Sequence, residues 1–127
     1  MASDLCHCLS GQAFIDCCQP FLLGSSTPAY AEQLMRSRYS AFVLENEDYL
    51  LASWHPSTRP ESICFEPAQV WHKLTVKRVV AGALSDQEGW VEFIAVYKIN
   101  GRAHRLHENS YFVKENQRWY YLNGQLR

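Results

Sequence analysis

Four cysteines near the start of the chain carry the clearest chemistry. Cys6-His7-Cys8 and Cys17-Cys18 read C-x-C-x8-C-C. A zinc ion takes four soft donors at the corners of a tetrahedron, about 2.3 Å from each sulfur. A C-x-C pair supplies two donors from one tight turn, and an adjacent pair supplies two more where the backbone bends. Ser10-Gly11 gives the loop room to reverse, and Phe14 and Ile15 suffice to cover one side of so small a site. A piece this short cannot fold on its own apolar burial, so metal binding is expected to supply most of its folding free energy. Cys6, Cys8, Cys17 and Cys18 are therefore the expected ligands of one structural zinc. His7 is a weaker ligand candidate, because four thiolates are already available. A Cys17–Cys18 disulfide would close a strained ring.

The pattern Cys-x-Cys-x-Ser-Gly, then Phe14, then Cys17-Cys18, resembles the SEC-C zinc motif of the SecA translocation ATPase tail. That motif usually has Gly where this chain has Leu9, and often Pro where it has His7. In SecA-like tails lysines help the motif contact the SecB chaperone and the ribosome. The matching stretch here, Gln12 to Asp16, has no lysine. The resemblance implies the metal site and a knob able to dock on a protein partner, but not that partner surface.

A second set of candidates lies later in the chain. Glu108, Ser110 and Phe112 alternate on one face of an expected strand, while His107, Asn109 and Tyr111 take the other. Leu106 and Phe112 make the Glu108 face the more apolar one, so Glu108 and Ser110 are expected to point inward. A carboxylate on an apolar face needs a cationic partner. Arg36 or Arg38 is the natural one. They diverge by roughly 200° on a helix, so only one can serve. Tyr39, Trp54, His55, Tyr97 and Tyr121 complete the expected pocket. A structural ion pair is favoured over a catalytic carboxylate, and a structural His55 over a general base. His72 and His104 read as solvated edge residues, and Cys64 as a small buried one. No Ser-His-Asp pattern, phosphate loop or nucleotide fingerprint is present.

These side chains need elements to hold them. Residues 1–20 form the cysteine module and 21–28 a linker, with Thr27 and Pro28 placed to start a helix. Residues 29–127 form the main domain. Apolar residues at Ala31, Leu34, Met35, Tyr39, Phe42 and Val43 have helical spacing. Asn46 interrupts, Glu47-Asp48 opens a second short helix through Trp54, and His55-Pro56 ends it. From Trp71 the period is two. Strands are expected from Trp71 to about Leu84, Trp90 to Ile99, Arg102 to Val113 and Trp119 to Leu122, with Asn100-Gly101 as a tight turn and Asn123-Gly124 ending the last strand. Helices gathered before an antiparallel meander indicate an α+β fold.

Composition limits the functions. The chain has 127 residues, a formal charge of −1 and 47% hydrophobic residues, enough for one real core. Its four Trp, six Phe and seven Tyr fit an aromatic core or a lined cavity. The first basic residue is Arg36, so the cysteine module lacks the Lys and Arg that phosphate contacts require. Lys98, Arg102, Arg105 and Lys114 could form a basic strip, but a solvated face is the plainer reading. No apolar run in the sequence approaches the roughly 20 residues that span a bilayer, and the N-terminus has no basic region followed by an apolar stretch, so a cytoplasmic chain with reduced thiols is expected, not a membrane protein.

The stretches Ala31 to Phe42, Trp54-His55-Pro56-Ser57-Thr58-Arg59-Pro60, Leu106 to Val113 and Arg118 to Gly124 resemble the YchJ family (UPF0225). The resemblance covers almost the whole chain. It implies an NTF2-like cone of curved antiparallel sheet closed by the N-terminal helices, with a pocket between them, and leaves room for a homodimer through the sheet's outer face. Some members carry a second cysteine motif that this sequence lacks. The resemblance brings no settled biochemical function. A binding or adaptor module, with a small molecule or peptide in the cone, ranks first. An NTF2-like enzyme using a pocket Glu or His as general acid–base ranks second. A ribosome- or nucleic-acid-associated factor ranks third.

Overall fold

The computed structural model describes residues 4–127. Its N-terminal loop is pinned by a small antiparallel bridge between Leu5 and Ala13. The Cys6 N–H donates to the Gln12 carbonyl at 2.8 Å and the Phe14 N–H to the Asp4 carbonyl at 2.8 Å. Leu9 turns the loop at φ 63°, a left-handed conformation that costs an ordinary L-residue about 1–2 kcal/mol. This is the position where the SEC-C motif usually carries glycine. A 3₁₀ turn over Phe14–Asp16 leads into a short helix α1, Gln19–Leu23, closed by Gly24 at φ 81°. α1 thus runs through the expected start of the linker.

Helix α2 spans Ala31–Val43. It starts three residues beyond Pro28, the expected first position. Gln33 is the reason: its Oε1 reaches back to accept from the backbone N–H groups of Ala29 at 2.8 Å and Tyr30 at 3.1 Å. That satisfies donors which a helix start leaves orphaned. Asn46 caps helix α3, Glu47–Ala52, by accepting from the Tyr49 N–H at 3.1 Å. α3 stops before Trp54, because residues 53–58 are drawn onto the sheet. The Tyr121 N–H donates to the Ser53 carbonyl at 2.9 Å, the His55 N–H to the Tyr121 carbonyl at 2.8 Å, and Thr58 Oγ1 to the Leu122 carbonyl at 2.6 Å.

The sheet is a four-stranded antiparallel meander, β1 Gln69–Ala81, β2 Glu88–Ile99, β3 Arg102–Glu115 and β4 Arg118–Leu126, in sequential order. β1 ends at Ala81, where φ turns to 56°, short of the expected Leu84. β4 continues through Asn123-Gly124 to Leu126, where a stop was expected. Gly124 sits opposite Ser110 in that register, and a side chain there would strike the Glu108 carboxylate. The glycine leaves space for Glu108 within a continuing strand. Register shifts at Trp71/Lys73 and Val76/Arg78 in β1, and at Tyr111/Phe112 between β3 and β4, bend the sheet.

α2 lies over one face of this sheet, giving an α+β fold. Its first residue is seated on two glycines. The Ala31 N–H donates to the Gly82 carbonyl at 3.0 Å, and a Cβ on Gly89 would lie 2.5 Å from the Gly82 Cα. From β4, Trp119 Nε1 donates to the Ala29 carbonyl at 3.0 Å, fixing the entry to the helix. Cys6, Cys8 and Cys18 belong to the same buried cluster as Leu34, Leu50, Val91, Phe112 and Trp119. No helix among the described residues is long and apolar enough to cross a membrane.

Candidate functional site

The sulfurs of Cys6, Cys8, Cys17 and Cys18 all lie within 4.8 Å of one another. Cys8 Sγ is 3.6 Å from Cys17 Sγ, and Cys17 Sγ is 4.0 Å from Cys18 Sγ. Four sulfurs around a tetrahedral ion with bonds of about 2.3 Å stand roughly 3.8 Å apart. A disulfide needs about 2.0 Å. The cluster therefore has the spacing of a metal site, and the four thiols fit a soft divalent ion. Hydrogen bonds from Cys18 and Cys8 pull the Cys6 thiol well below its usual range. Burial pushes Cys17 up to about 11, and the hydrogen bond with Cys6 pushes Cys18 up. Without a cation, so crowded a set shares few negative charges; an ion makes four thiolates tolerable. His7 stands apart, with its ring edge-on to Phe14 at 5.3 Å.

α2 supports this cluster from behind. Arg36 Nη1 donates to the Cys8 carbonyl at 2.8 Å, while its Nε pairs with Glu32 at 3.0 Å. Ser40 Oγ lies 3.7 Å from Cys6 Sγ. Arg36 is thus a buttress of the cysteine loop.

The other face of α2 closes a cavity of about 340 Å³ against the sheet. Met35, Arg38, Tyr39 and Phe42 descend from the helix, and Phe93, Leu106, Glu108, Ser110, Phe112 and Tyr121 rise from the strands. Trp54, Cys64, Phe65 and Trp71 close the sides. The polar groups are few and ordered. Glu108 Oε2 accepts from Ser110 Oγ at 2.6 Å and from Tyr121 Oη at 3.1 Å. Arg38 is 7% exposed. Its Nη1 donates to the Leu50 carbonyl at 2.8 Å and to Ser53 Oγ at 2.7 Å. Its guanidinium lies 4.9 Å from the Trp54 ring centre and 4.6 Å from that of Tyr121. Burial lowers Arg38 to about 10, still charged at neutral pH, and raises the Tyr121 hydroxyl, with Glu108 adding to the rise. Glu108 enters none of the ion pairs found among the described residues.

Residues 30–124 match the family model described as the YchJ middle NTF2-like domain. The chain belongs to the YchJ (UPF0225) family. A UPF0225 protein of Chromobacterium violaceum is 51% identical to it, over 97% of this chain and 93% of the relative. One from Sodalis glossinidius is 44% identical, over 94% and 81%. The solution structure of a SEC-C motif containing protein from Rhodopseudomonas palustris superposes with a TM-score of 0.80 at 32% identity, over 92% of this chain and 94% of that one. The crystal structure of a SEC-C motif containing protein from Psychrobacter arcticus gives 0.73 at 30% identity, over 91% and 73%.

Of the pocket residues expected from the sequence, this YchJ-family structure gathers Arg38, Tyr39, Trp54, Glu108, Ser110 and Tyr121 around the cavity. Arg36, His55 and Tyr97 lie elsewhere. Arg36 faces the cysteine loop. His55 is held outside by Glu115 Oε2 on Nε2 at 2.9 Å and Ser57 Oγ on Nδ1 at 2.8 Å. Tyr97 packs between His104 and Trp71, at ring distances of 5.2 and 5.1 Å. His107 pairs with Glu92 at 2.6 Å on the sheet's other face. The cavity wall therefore contains no histidine among its lining residues. Phe93 was legible from the strand alternation it shares with Ala95, whereas Trp71 comes to the cavity wall at the register shift between Trp71 and Lys73. Cys64, expected as a small buried residue, is exposed at the cavity's side, because it lies in an irregular connection and not in a packed element; Phe65 beside it had no signal.

Proposed function

We propose that this YchJ-family chain is a non-catalytic binding protein, whose NTF2-like cavity takes a small molecule and whose cysteine knuckle holds one zinc ion. The observation that carries the reading is the cavity: about 340 Å³, walled mainly by aromatic side chains, with a single carboxylate on its floor. Such a space has the size and lining of a ligand pocket. An acid–base enzyme is less well supported, because the two histidines hydrogen-bonded to carboxylates among the described residues, His55 and His107, do not line the cavity. Four clustered thiols and the resemblance of the loop to SEC-C motifs favour zinc, which is closed and structural when four-coordinate by sulfur. The knuckle would present a rigid knob for a protein partner, in a cytoplasm where its thiols stay reduced. Nucleic acid is disfavoured at the knuckle, because no Lys or Arg precedes Arg36, and Arg36 is itself tied to the Cys8 carbonyl and Glu32.

Native mass spectrometry of protein purified under reducing, chelator-free conditions tests this. The expected spectrum shows one zinc per chain, lost in the Cys17→Ser/Cys18→Ser variant, and a further small-molecule increment, lost in an Ala95→Leu variant that fills the cavity from β2. A folded, zinc-loaded chain on which neither co-purified nor added small molecules ever occupy the cavity would defeat the binding reading.

A further inference from the structure

The polar floor of the cavity is lopsided. Both hydroxyls that reach Glu108, from Ser110 and Tyr121, converge on Oε2. No protein group among the described residues hydrogen-bonds to Oε1. The cation that should neutralise this carboxylate is tied down elsewhere. Arg38 uses Nη1 on the Leu50 carbonyl and Ser53, and covers itself with the rings of Trp54 and Tyr121. Tyr121 separates the two charges: it receives Arg38 on its ring face and gives its hydroxyl to Glu108.

A half-buried carboxylate with a free oxygen in an apolar lining calls for a counter-charge. The remaining wall is rich in aromatic rings, from Tyr39, Phe42, Trp71 and Phe93. Aromatic faces attract cations, by up to about 2 kcal/mol when the site is desolvated. The Gly124 backbone keeps room beside the carboxylate that any side chain would take. An anion has a poorer seat: Arg38, the one cation in the lining, is largely buried, spends Nη1 on Leu50 and Ser53 and lies against two rings. From this geometry we infer that the cavity binds an organic cation: an ammonium group on Glu108 Oε1, carrying an apolar body that lies against the aromatic wall. The inference rests on the binding reading given above and names its ligand class.

The test uses the full chain with its metal, uniformly labelled with ¹⁵N, and three probes of one shape: phenethylamine (ammonium), 2-phenylethanol (neutral) and 3-phenylpropionate (anion). Amide shifts are followed in titrations at neutral pH. Phenethylamine is expected to move the amides of Glu108, Ser110 and Tyr121, and to bind about tenfold or more tightly than the alcohol, as a charge-assisted contact implies. The propionate is expected not to saturate. Glu108→Gln keeps an acceptor for Ser110 and Tyr121 and should remove the tenfold preference while leaving the alcohol's weak binding in place. Should Glu108→Gln fail to fold, Gly124→Ala, whose Cβ displaces the carboxylate, should erode the same preference. Equal binding of alcohol and ammonium, tighter binding of the propionate, or an ammonium preference that survives both variants overturns the cation assignment and leaves a ligand cavity standing. If none of the probes, nor a wider panel of neutral fragments, perturbs the cavity amides, the binding reading itself fails.

Discussion

Replacing Arg38 by lysine should destabilise the protein at least as much as replacing it by methionine. Arg38 makes two hydrogen bonds through Nη1 and stacks on two rings. Hydrogen bonds to a charged group contribute about 1.5–3 kcal/mol each, and each ring about 0.5–1 kcal/mol. Methionine loses all of these, roughly 4–8 kcal/mol in sum. It also removes a buried charge, whose cost follows from the fall from 12.5 to about 10 and is roughly 3 kcal/mol at about 1.4 kcal/mol per pH unit. The net loss is about 1–5 kcal/mol. Lysine keeps the charge, so nothing is relieved. It loses the planar stack and one of the two bonds, about 2.5–5 kcal/mol. Urea unfolding followed by tryptophan fluorescence, on metal-loaded protein, gives both values. A lysine variant within about 1 kcal/mol of the wild type, with methionine clearly worse, would refute the reasoning. The charge itself, acting on Glu108, would then hold the helix to the sheet.

Three further outcomes are expected. Leu9→Gly should stabilise the cysteine loop by about 0.5–1 kcal/mol, since Leu9 at φ 63° is strained and largely exposed; competition with a metallochromic chelator should show equal or slower metal loss, and faster loss contradicts the strain argument. Gly89→Ala should cost about 2–4 kcal/mol, because its Cβ would stand 2.5 Å from the Gly82 backbone under the start of α2; a thermal melt within a degree of wild type would show that the seat of α2 is not close-packed. Burial pushes Tyr39 up to about 12 and also raises Tyr49 and Tyr121. The fold prefers their protonated forms, so the associated stability is complete below pH 10 and is lost as pH rises through about 12. Arg38, lowered to about 10, acts in the opposite sense over part of that window but is one group against three. Tyrosinate absorbance should rise late and together with loss of circular dichroism; early ionisation of these tyrosines in a folded protein would contradict their burial.

The two kinds of site were legible to different depths. The cysteine cluster was readable because its four thiols are close in sequence and a metal site sets strict demands on donor type and spacing. Glu108 and Ser110 were readable because a strand of period two sorts residues between two faces, and Leu106 and Phe112 mark the apolar one. Arg36 and Arg38 could be told apart in angle but not in assignment. The deciding partner of Arg36 is the carbonyl of Cys8, a backbone atom whose position no side-chain pattern reports. His55 was drawn toward the cavity by its neighbour Trp54, yet the bridge from Trp54 to Tyr121 turns the following residue outward onto Glu115. Boundaries were missed where a side chain did the work of the backbone. Gln33 moved the start of α2, and Gly124, usually a terminator, was retained inside β4 to make space for a carboxylate.

The bridge between Trp54 and Tyr121 also sets an order of events during synthesis. A ribosome releases the knuckle's last sulfur with Cys18, and the α2 residues that support its loop, Arg36 and Ser40, follow soon after. The cavity cannot exist so early: one of its walls, Tyr121, and the tryptophan that fixes the entry of α2, Trp119, arrive about a hundred residues later. Until they do, Arg38 lacks one of the two rings that cover it, and Glu108 lacks one of its two hydroxyls. On the proposed reading, the knuckle is complete enough for a metal well before the cavity is complete enough for a ligand, which waits for β4.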